Sequence, residues 1–135
     1  MLRVEAEARK GGHMSFINVS NHMSSKWSEA QLNAALSYGN IVDVQFPSVS
    51  PSATHEDIIE LAEKLTNDVY DLAPDIVMIQ GEMTLVFAVV TMLKSKGIRC
   101  VAACSRRRSD EEVQKLAASG LTKEGMFEFM GFREY

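Results

Sequence analysis

The chain has 135 residues, a formal net charge of −4, 46% apolar residues and two cysteines. This length favours one domain with a sizeable core, and no apolar run of the sequence is long enough to span a membrane. The acidic balance disfavours a broad surface for long nucleic acid, although a locally basic pocket could still bind a small anion. Cys100 and Cys104 lie on or beside an apolar stretch, which favours a reducing compartment, by default the cytoplasm, over a disulfide framework.

Residues 1–14 differ from the rest of the chain because they are polar and unpatterned. Their end, Gly11-Gly12-His13-Met14, is typical of a cloning remnant. We therefore interpret them as a tag or leader that is disordered or non-native, and we exclude them from the fold prediction. They have no apolar segment of the kind that a signal peptide needs. The expected single domain covers residues 15–135.

The first half of this domain predicts strands and helices in alternation. A strand over 15–20 is followed by a helix over 29–37, with Ser28 and Gln31 in the spacing of a capping box, and then by a strand over 41–44. Thr54 is the expected N-cap of a second helix, with Asp57 at its third position. That helix carries apolar residues at helical spacing up to Pro74, namely Ile58, Leu61, Ala62, Leu65, Val69 and Leu72.

The second half continues the alternation. In chain order it predicts a buried strand over 75–80, a helix over 84–96, a strand over 100–104, a short helix over 110–119, a turn over 120–125 and an edge strand from 127 to the end. The helix over 84–96 is apolar almost all round. A core position and a subunit interface explain this composition about equally well.

This order of elements is typical of an α/β fold, and we expect a doubly wound, Rossmann-like three-layer sandwich with a mostly parallel sheet of about five strands. If the strands are ordered 2-1-3-4-5, the topological switch point lies between the first and third strands. The loops over 18–27 and 80–84 meet at that point, which makes them the expected ligand-binding loops.

The first of these loops is rich in groups that bind ligands: Asn18, Ser20, Asn21, His22, Ser24, Ser25, Lys26 and Trp27. A loop histidine is more often solvated than catalytic, but here neighbouring amides and hydroxyls can orient its ring. The ring of Trp27 either anchors the start of the helix to the core or stacks on a nucleobase. A serine hydrolase is disfavoured, because the loop has no acidic residue to complete a triad and the chain has no nucleophile-elbow motif.

The second loop and the end of the fourth predicted strand supply further candidates. Gln80, Gly81, Glu82 and Thr84 follow the central strand. Gly81 permits close backbone approach, and the helix start behind it is a potential anion site. Glu82 would repel phosphate there and suits a hydroxyl or a base amino group better. The sequence has neither the Gly-rich dinucleotide motif nor a P-loop, which disfavours ordinary nicotinamide and nucleoside-triphosphate enzymes.

The basic run Ser105-Arg106-Arg107-Arg108 directly follows the fourth predicted strand. Such a run is usually a solvated loop, but in an acidic domain it is the best candidate for phosphate contact. The histidines are scattered and the cysteines lack the spacing of a zinc ribbon or a Cys-x-x-Cys pair. We therefore expect neither a metal site nor a cofactor.

Several short motifs occur together over residues 16–135: Asn18-x-Ser20-Asn21-His22-x-Ser24-x-x-Trp27-x-x-x-Gln31, Phe46-Pro47, Gln80-Gly81-Glu82, Ala103-Cys104-Ser105-Arg106-Arg107 and Phe132-Arg133-Glu134-Tyr135. In this combination the chain resembles small stand-alone CRISPR-associated proteins. These are similar to the CARF-type, Rossmann-like ligand-binding domains of type III CRISPR systems, some of which act as ring nucleases.

The resemblance implies a homodimer that binds a cyclic oligoadenylate, first of all cyclic tetra-adenylate, across its two-fold axis. It further implies cleavage of the ring without metal, by attack of a ribose 2′-hydroxyl on its own phosphate, which switches off the antiviral signal. His22 would act as acid or base, and Ser20, Ser24 or Lys26 would hold the phosphorane oxygens. The remaining implied ligand contacts are Asn18, Asn21, Ser25, Trp27, Gln80, Gly81, Glu82, Thr84, Ser105, Arg106 and Arg107.

Three alternatives stay open on the sequence. One is a sensor or sponge with the same fold and ligand that does not cleave it. Another is an enzyme acting on nucleosides or nucleotides, with Glu82 as nucleophile or base. The last is a structural interaction module whose polar loops are merely solvated. None of these readings involves a membrane or long nucleic acid as partner.

Overall fold

The computed structural model describes residues 14–120 and 126–135. The strands are β1 (Ser15–Ser20), β2 (Asn40–Gln45), β3 (Ile76–Ile79), β4 (Arg99–Arg107) and β5 (Phe127–Glu134). The helices are α1 (Glu29–Leu36), α2 (His55–Tyr70), α3 (Met83–Ser95) and α4 (Asp110–Ala117), and a 3-10 turn, Ser24–Lys26, precedes α1. The predicted leader up to residue 13 and residues 121–125 of the predicted turn lie outside the described residues. Within the described ranges, no helix has the length and apolar character that crossing a membrane requires.

The five strands form one sheet in the order β2-β1-β3-β4-β5. The first four are mutually parallel, and β5 pairs antiparallel with β4 at one edge. This confirms the predicted α/β class with its mostly parallel five-stranded sheet. The strand order is the one on which the expected switch point depended. Strand β2 lies on one side of β1, whereas β3 and β4 follow on the other side. The carboxyl ends of β1 and β3 therefore form the topological switch point.

The core consists of two clusters that share β3. Val77 and Ile79 belong to one cluster, whereas Ile76 and Met78 belong to the other. Since successive strand residues point to opposite sides of a sheet, the two clusters lie on opposite faces. The Val77 cluster contains the buried apolar residues of α2 and α3, and the other cluster contains Ala35 of α1. All four residues of β3 are buried, which explains why this strand is continuously apolar.

Local capping signals correctly located two helix starts. Thr54 is the N-cap of α2, as predicted: its side chain accepts from the Asp57 backbone N–H while the Asp57 side chain accepts from the Thr54 N–H, which completes a capping box. Ser28 likewise accepts from the Gln31 N–H, with an N···O distance of 3.2 Å. These bonds satisfy backbone donors that the helix itself leaves unpaired.

The prediction that the fourth strand spans residues 100–104 was too short, since β4 covers Arg99–Arg107. Strand β4 continues to Arg107 because β5 pairs with it up to that residue. In this last part of the ladder Arg106 lies opposite Glu128, and Arg107 lies opposite Phe127. A register shift between Cys104 and Ser105 interrupts this ladder. The basic run therefore belongs to a two-stranded extension of the sheet.

Candidate functional site

A cleft of about 560 Å³ lies at the switch point of the sheet. The pairing of β3 with β4 ends at Met78 and Val101, whereas β4 and β5 remain paired well beyond that point. The loop after β1 forms one wall of the resulting gap and the β4–β5 extension forms the other. The volume falls within the roughly 300–1,000 Å³ that is typical of small-molecule sites. The lining residues are Ser20, Asn21, His22, Lys26, Trp27, Ser28, Gln31, Met78, Gln80, Gly81, Ala103, Ser105, Phe127 and Phe129.

The cleft brings together residues that the sequence analysis drew from three separate stretches. The predicted site residues that line it are Ser20, Asn21, His22, Lys26, Trp27, Gln80, Gly81 and Ser105. The predicted residues that do not line it are Asn18, Ser24, Ser25, Glu82, Thr84, Arg106 and Arg107. Several residues of the second group instead fix the geometry of the first.

Asn18 is fully buried and holds the loop after β1 in place. Its amide nitrogen donates to the His22 carbonyl and to Asp43 Oδ1, both at 2.8 Å, and its amide oxygen accepts from Ser20 Oγ at 2.7 Å. Ser20 Oγ in turn accepts from the His22 N–H at 3.1 Å. The side chains of Asn18 and Ser20 are thus committed to the backbone of the loop, which makes them positioning groups.

Asp43 is a positioning residue that the sequence analysis missed. It lies on β2 directly opposite Asn18 in the parallel ladder. Its carboxylate accepts from the Ser24 backbone N–H at 3.1 Å and from the Ser24 hydroxyl at 2.8 Å, in addition to the Asn18 amide. Ser24 is therefore bound to Asp43 instead of facing the cleft. The sequence feature that could have indicated this role is a carboxylate within the apolar run Ile41-Val42-Asp43-Val44.

His22 presents its side chain to the cleft from a fixed backbone. Its carbonyl accepts from both the Asn18 amide and Trp27 Nε1, the latter at 3.2 Å. The imidazole is exposed, and no residue within 14–120 or 126–135 hydrogen-bonds it. The Lys26 ammonium lines the same cleft and makes no ion pair with any described residue. Both polar groups are consequently open to a ligand.

Three aromatic rings line the cleft. Trp27 meets the core residue Phe16 edge-on, with 6.2 Å between ring centroids, so it anchors the loop and lines the cleft at once. Phe127 and Phe129 come from β5, where Phe129 packs against Phe132 at 5.0 Å. We missed these two phenylalanines as site residues. Their alternation along the edge strand indicated a shared face but not that this face lies at the switch point.

Gly81 is required by the packing beneath the cleft. A Cβ atom built on Gly81 would lie 2.5 Å from Cε1 of Phe46, whose ring is buried. The sequence analysis expected close backbone approach at this glycine. The group that approaches closely within the protein is an aromatic side chain.

Gly81→Ala is therefore expected to lower the free energy of unfolding by about 1–3 kcal/mol, the usual cost of an overpacked core. Urea unfolding followed by circular dichroism measures this. In the double variant Gly81→Ala/Phe46→Leu, part of the loss should be recovered, because the smaller side chain relieves the collision. An additive double variant would contradict the proposed clash.

Glu82 caps helix α3. Its carboxylate accepts from the Thr84 N–H at 2.6 Å, from the Leu85 N–H at 3.3 Å and from the Thr84 hydroxyl. The bond from the Thr84 side chain is the main reason why the pKa of Glu82 is lowered. Because this carboxylate occupies the positive end of the helix, the potential anion site at the start of α3 is already filled.

Arg106 is held by two carboxylates at the end of the β4–β5 extension. Its guanidinium contacts Glu112 of α4 at 2.7 and 3.1 Å and Glu128 of β5 at 2.6 Å. The Arg106 hydrogen bond is the largest cause that lowers the pKa of Glu112 to about 2, and backbone donation from Ser109 adds to it. Arg106 therefore ties α4 to the sheet, and phosphate would have to displace both carboxylates to reach it.

The contact between Glu112 and Arg106 should make the free energy of unfolding depend on pH in the acidic range. Its pKa in the folded state lies below the ordinary value of a glutamate, so the stabilisation is complete above that ordinary value and is lost as pH falls towards about 2. We expect the urea midpoint of the wild type to fall more steeply than that of Glu112→Gln between about pH 5 and pH 3. Glu111→Gln is the matched control, because Glu111 contacts only Lys115 of the same helix among described residues. Parallel curves for wild type and Glu112→Gln would contradict the expectation.

Together, the fold and the cleft define an α/β domain with a small-molecule-sized cleft at the switch point of a mostly parallel sheet. The described residues, 14–120 and 126–135, contain no group of three or more His, Cys, Asp and Glu that could hold a metal ion. The chain belongs to the family described as the uncharacterized protein MJ1673 family, whose model matches residues 14–133. No curated protein and no solved structure matches the chain.

Proposed function

We propose that this protein is a doubly wound, Rossmann-like three-layer domain of CARF type that binds a cyclic oligoadenylate in the cytoplasm and cleaves it without metal. Cyclic tetra-adenylate is the first candidate ligand. The observation that carries the proposal is the composition of the cleft, which combines aromatic rings with the open side chains of His22 and Lys26. Aromatic rings stack on nucleobases, and an ammonium group binds phosphate. The motif resemblance to proteins of type III CRISPR systems is the reason for proposing a cyclic ligand. It is also the reason for proposing that cleavage of this ligand ends an antiviral signal.

The proposed reaction needs only groups at the cleft and on the substrate. The ribose 2′-hydroxyl attacks the adjacent phosphorus, His22 takes its proton, and the charge of the phosphorane develops next to Lys26. The bond from phosphorus to the 5′-oxygen then breaks, and the imidazolium returns the proton to that leaving oxygen. The products are a 2′,3′-cyclic phosphate and a 5′-hydroxyl. Asn18 and Ser20 contribute by holding the backbone of His22.

A second copy of the chain is the proposed partner. Met83 and Phe87 of α3 are 82% and 75% exposed, which leaves a large apolar ridge uncovered. A groove beside this ridge is lined by Gln80 and Gly81, which also line the cleft. Packing of two copies on this ridge would therefore bring two clefts towards one two-fold axis, as a symmetric ring requires.

Phe87→Glu is expected to raise the dissociation constant of this dimer at least about 30-fold, because a central aromatic residue of an interface typically contributes 2 kcal/mol or more. Light scattering coupled to size-exclusion chromatography measures the shift towards monomer. Leu36→Glu is the control, since Leu36 is also exposed, at 51%, but lies at the end of α1. A wild type that stays monomeric at high concentration would contradict the proposed dimer.

The function is tested by incubating the protein with cyclic tetra-adenylate and cyclic hexa-adenylate in the presence of EDTA. Chromatography detects linear products, and a titration measures binding. Linear products from one ring support the proposal. Tight binding of an intact ring would replace it with a sensor or sponge, and neither binding nor cleavage would overturn it. The nucleoside enzyme that uses Glu82 has less support, because that carboxylate is bound in the α3 cap and does not line the cleft.

A further inference from the structure

Gln80 satisfies a backbone donor that the sheet leaves unpaired. Because β3 ends before β4 does, the Ala103 N–H has no strand partner on that side, and it donates instead to Gln80 Oε1 at 3.0 Å. A backbone N–H can only donate, so it must face the oxygen of the amide and not the nitrogen. Gln80 is half-buried and lines the cleft. No described residue accepts a hydrogen bond from Gln80 Nε2. This amide nitrogen is therefore the group that can donate to a ligand.

Gln31 supplies a complementary group from the first turn of α1. Its Nε2 donates to Met78 Sδ at 3.8 Å on the floor of the cleft. This leaves Gln31 Oε1 as an acceptor at the same cleft. The cleft thus offers one donor of fixed orientation and one acceptor, and Trp27, Phe127 and Phe129 line the same cleft.

We infer that Gln80 and Gln31 recognise the Watson–Crick edge of a purine base and select adenine. This inference rests on the proposed function and names the residues that would set its base specificity. Adenine offers a ring-nitrogen acceptor beside an amino donor, which matches Gln80 Nε2 and Gln31 Oε1. Hypoxanthine and guanine carry an N–H donor beside a carbonyl acceptor. Their donor would therefore face the donor Gln80 Nε2, and their acceptor would face the acceptor Gln31 Oε1. A site built to hydrogen-bond one pattern rejects the reversed pattern, because its own polar groups are then left unpaired.

The chain has a single tryptophan, Trp27, which lines the cleft and therefore reports base stacking directly by fluorescence quenching. The probes are the dinucleotides ApA and IpI, which have the same charge and backbone but reversed base edges. We expect the wild type to bind ApA about 5- to 150-fold more tightly than IpI, the range that a good two-point base contact gives. Gln31→Met should reduce this ratio by removing the acceptor.

Gln80→Glu provides the sharper test. A carboxylate still accepts from the Ala103 N–H, but it turns an acceptor instead of a donor towards the base. Because Gln31 Oε1 is unchanged, adenine and hypoxanthine would then each match one of the two contacts and face a like group at the other. The ratio should therefore fall to about one. Gln45→Glu makes the same charge change at the end of β2, outside the cleft lining, and should leave the ratio unaltered. Because an added carboxylate repels phosphate wherever it lies nearby, the ratio is the readout and not the affinity.

Three outcomes decide between the claims. A ratio that falls to about one in folded Gln80→Glu, while Gln45→Glu keeps the wild-type ratio, supports the base-recognition role. Equal binding of ApA and IpI by the wild type, or an unchanged ratio in both glutamine variants, overturns that role while the proposed oligoadenylate function stands. A wild type that binds neither dinucleotide nor cyclic tetra-adenylate overturns both.

Discussion

His22→Ala is expected to lower the rate of cyclic tetra-adenylate cleavage by about 100- to 10,000-fold, the usual contribution of a general acid–base group. The same change should alter the free energy of unfolding by no more than about 0.5 kcal/mol. The two effects separate because the backbone of His22 is held by Asn18 and Ser20, while its ring is exposed and hydrogen-bonded by no described residue. Single-turnover cleavage in EDTA, with urea unfolding alongside, measures both.

His55→Ala is the matched control for this prediction. His55 is exposed at the start of α2 and does not line the cleft, so its removal should leave the rate unaltered. If His22→Ala cleaved the ring at the wild-type rate, alignment of the 2′-hydroxyl alone would have to account for catalysis. His22 would then lose its proposed role, although the binding site would not.

Asn18→Ala is expected to lower the free energy of unfolding by about 2–3 kcal/mol, because it removes the hydrogen bonds of a fully buried amide. Asp43 and the His22 carbonyl would lose the amide donor, and the Ser20 hydroxyl would be left with the His22 carbonyl, at 3.1 Å, as its acceptor. Urea unfolding measures the loss. The cleavage rate should fall as well, since the backbone of His22 would lose one of its anchors.

Asn21→Ala is the control in the same loop. Asn21 is exposed, and its side-chain oxygen accepts from Gln45 Nε2 at 2.9 Å at the surface. Truncating it should cost no more than about 0.5 kcal/mol. Equal losses in the two asparagine variants would mean that burial of the Asn18 network does not anchor the loop.

The sequence by itself determined the features that depend on near neighbours in the chain. The periodicity of α2, the capping box at its start and the continuous apolar character of β3 all follow from residues a few positions apart. The sequence restricted the strand order to few arrangements, because parallel strands joined by helices have few allowed connections, and the order 2-1-3-4-5 was considered as one of them. The position and direction of β5 were left open by the sequence. Knowing the switch point was enough to select the two loops over 18–27 and 80–84.

Only the tertiary structure decided what each polar side chain contacts. Asn18 is bound to Asp43, 25 positions away, and Arg106 is bound to Glu128, 22 positions away. No local pattern encodes such pairs, so a buried positioning amide and an exposed ligand contact have the same appearance in the sequence. The length of β4 and the presence of Phe127 and Phe129 in the cleft likewise depend on antiparallel pairing with β5. The sequence could therefore locate the site at one end of the sheet, whereas long-range pairing determined which groups line it and which ones hold it in place.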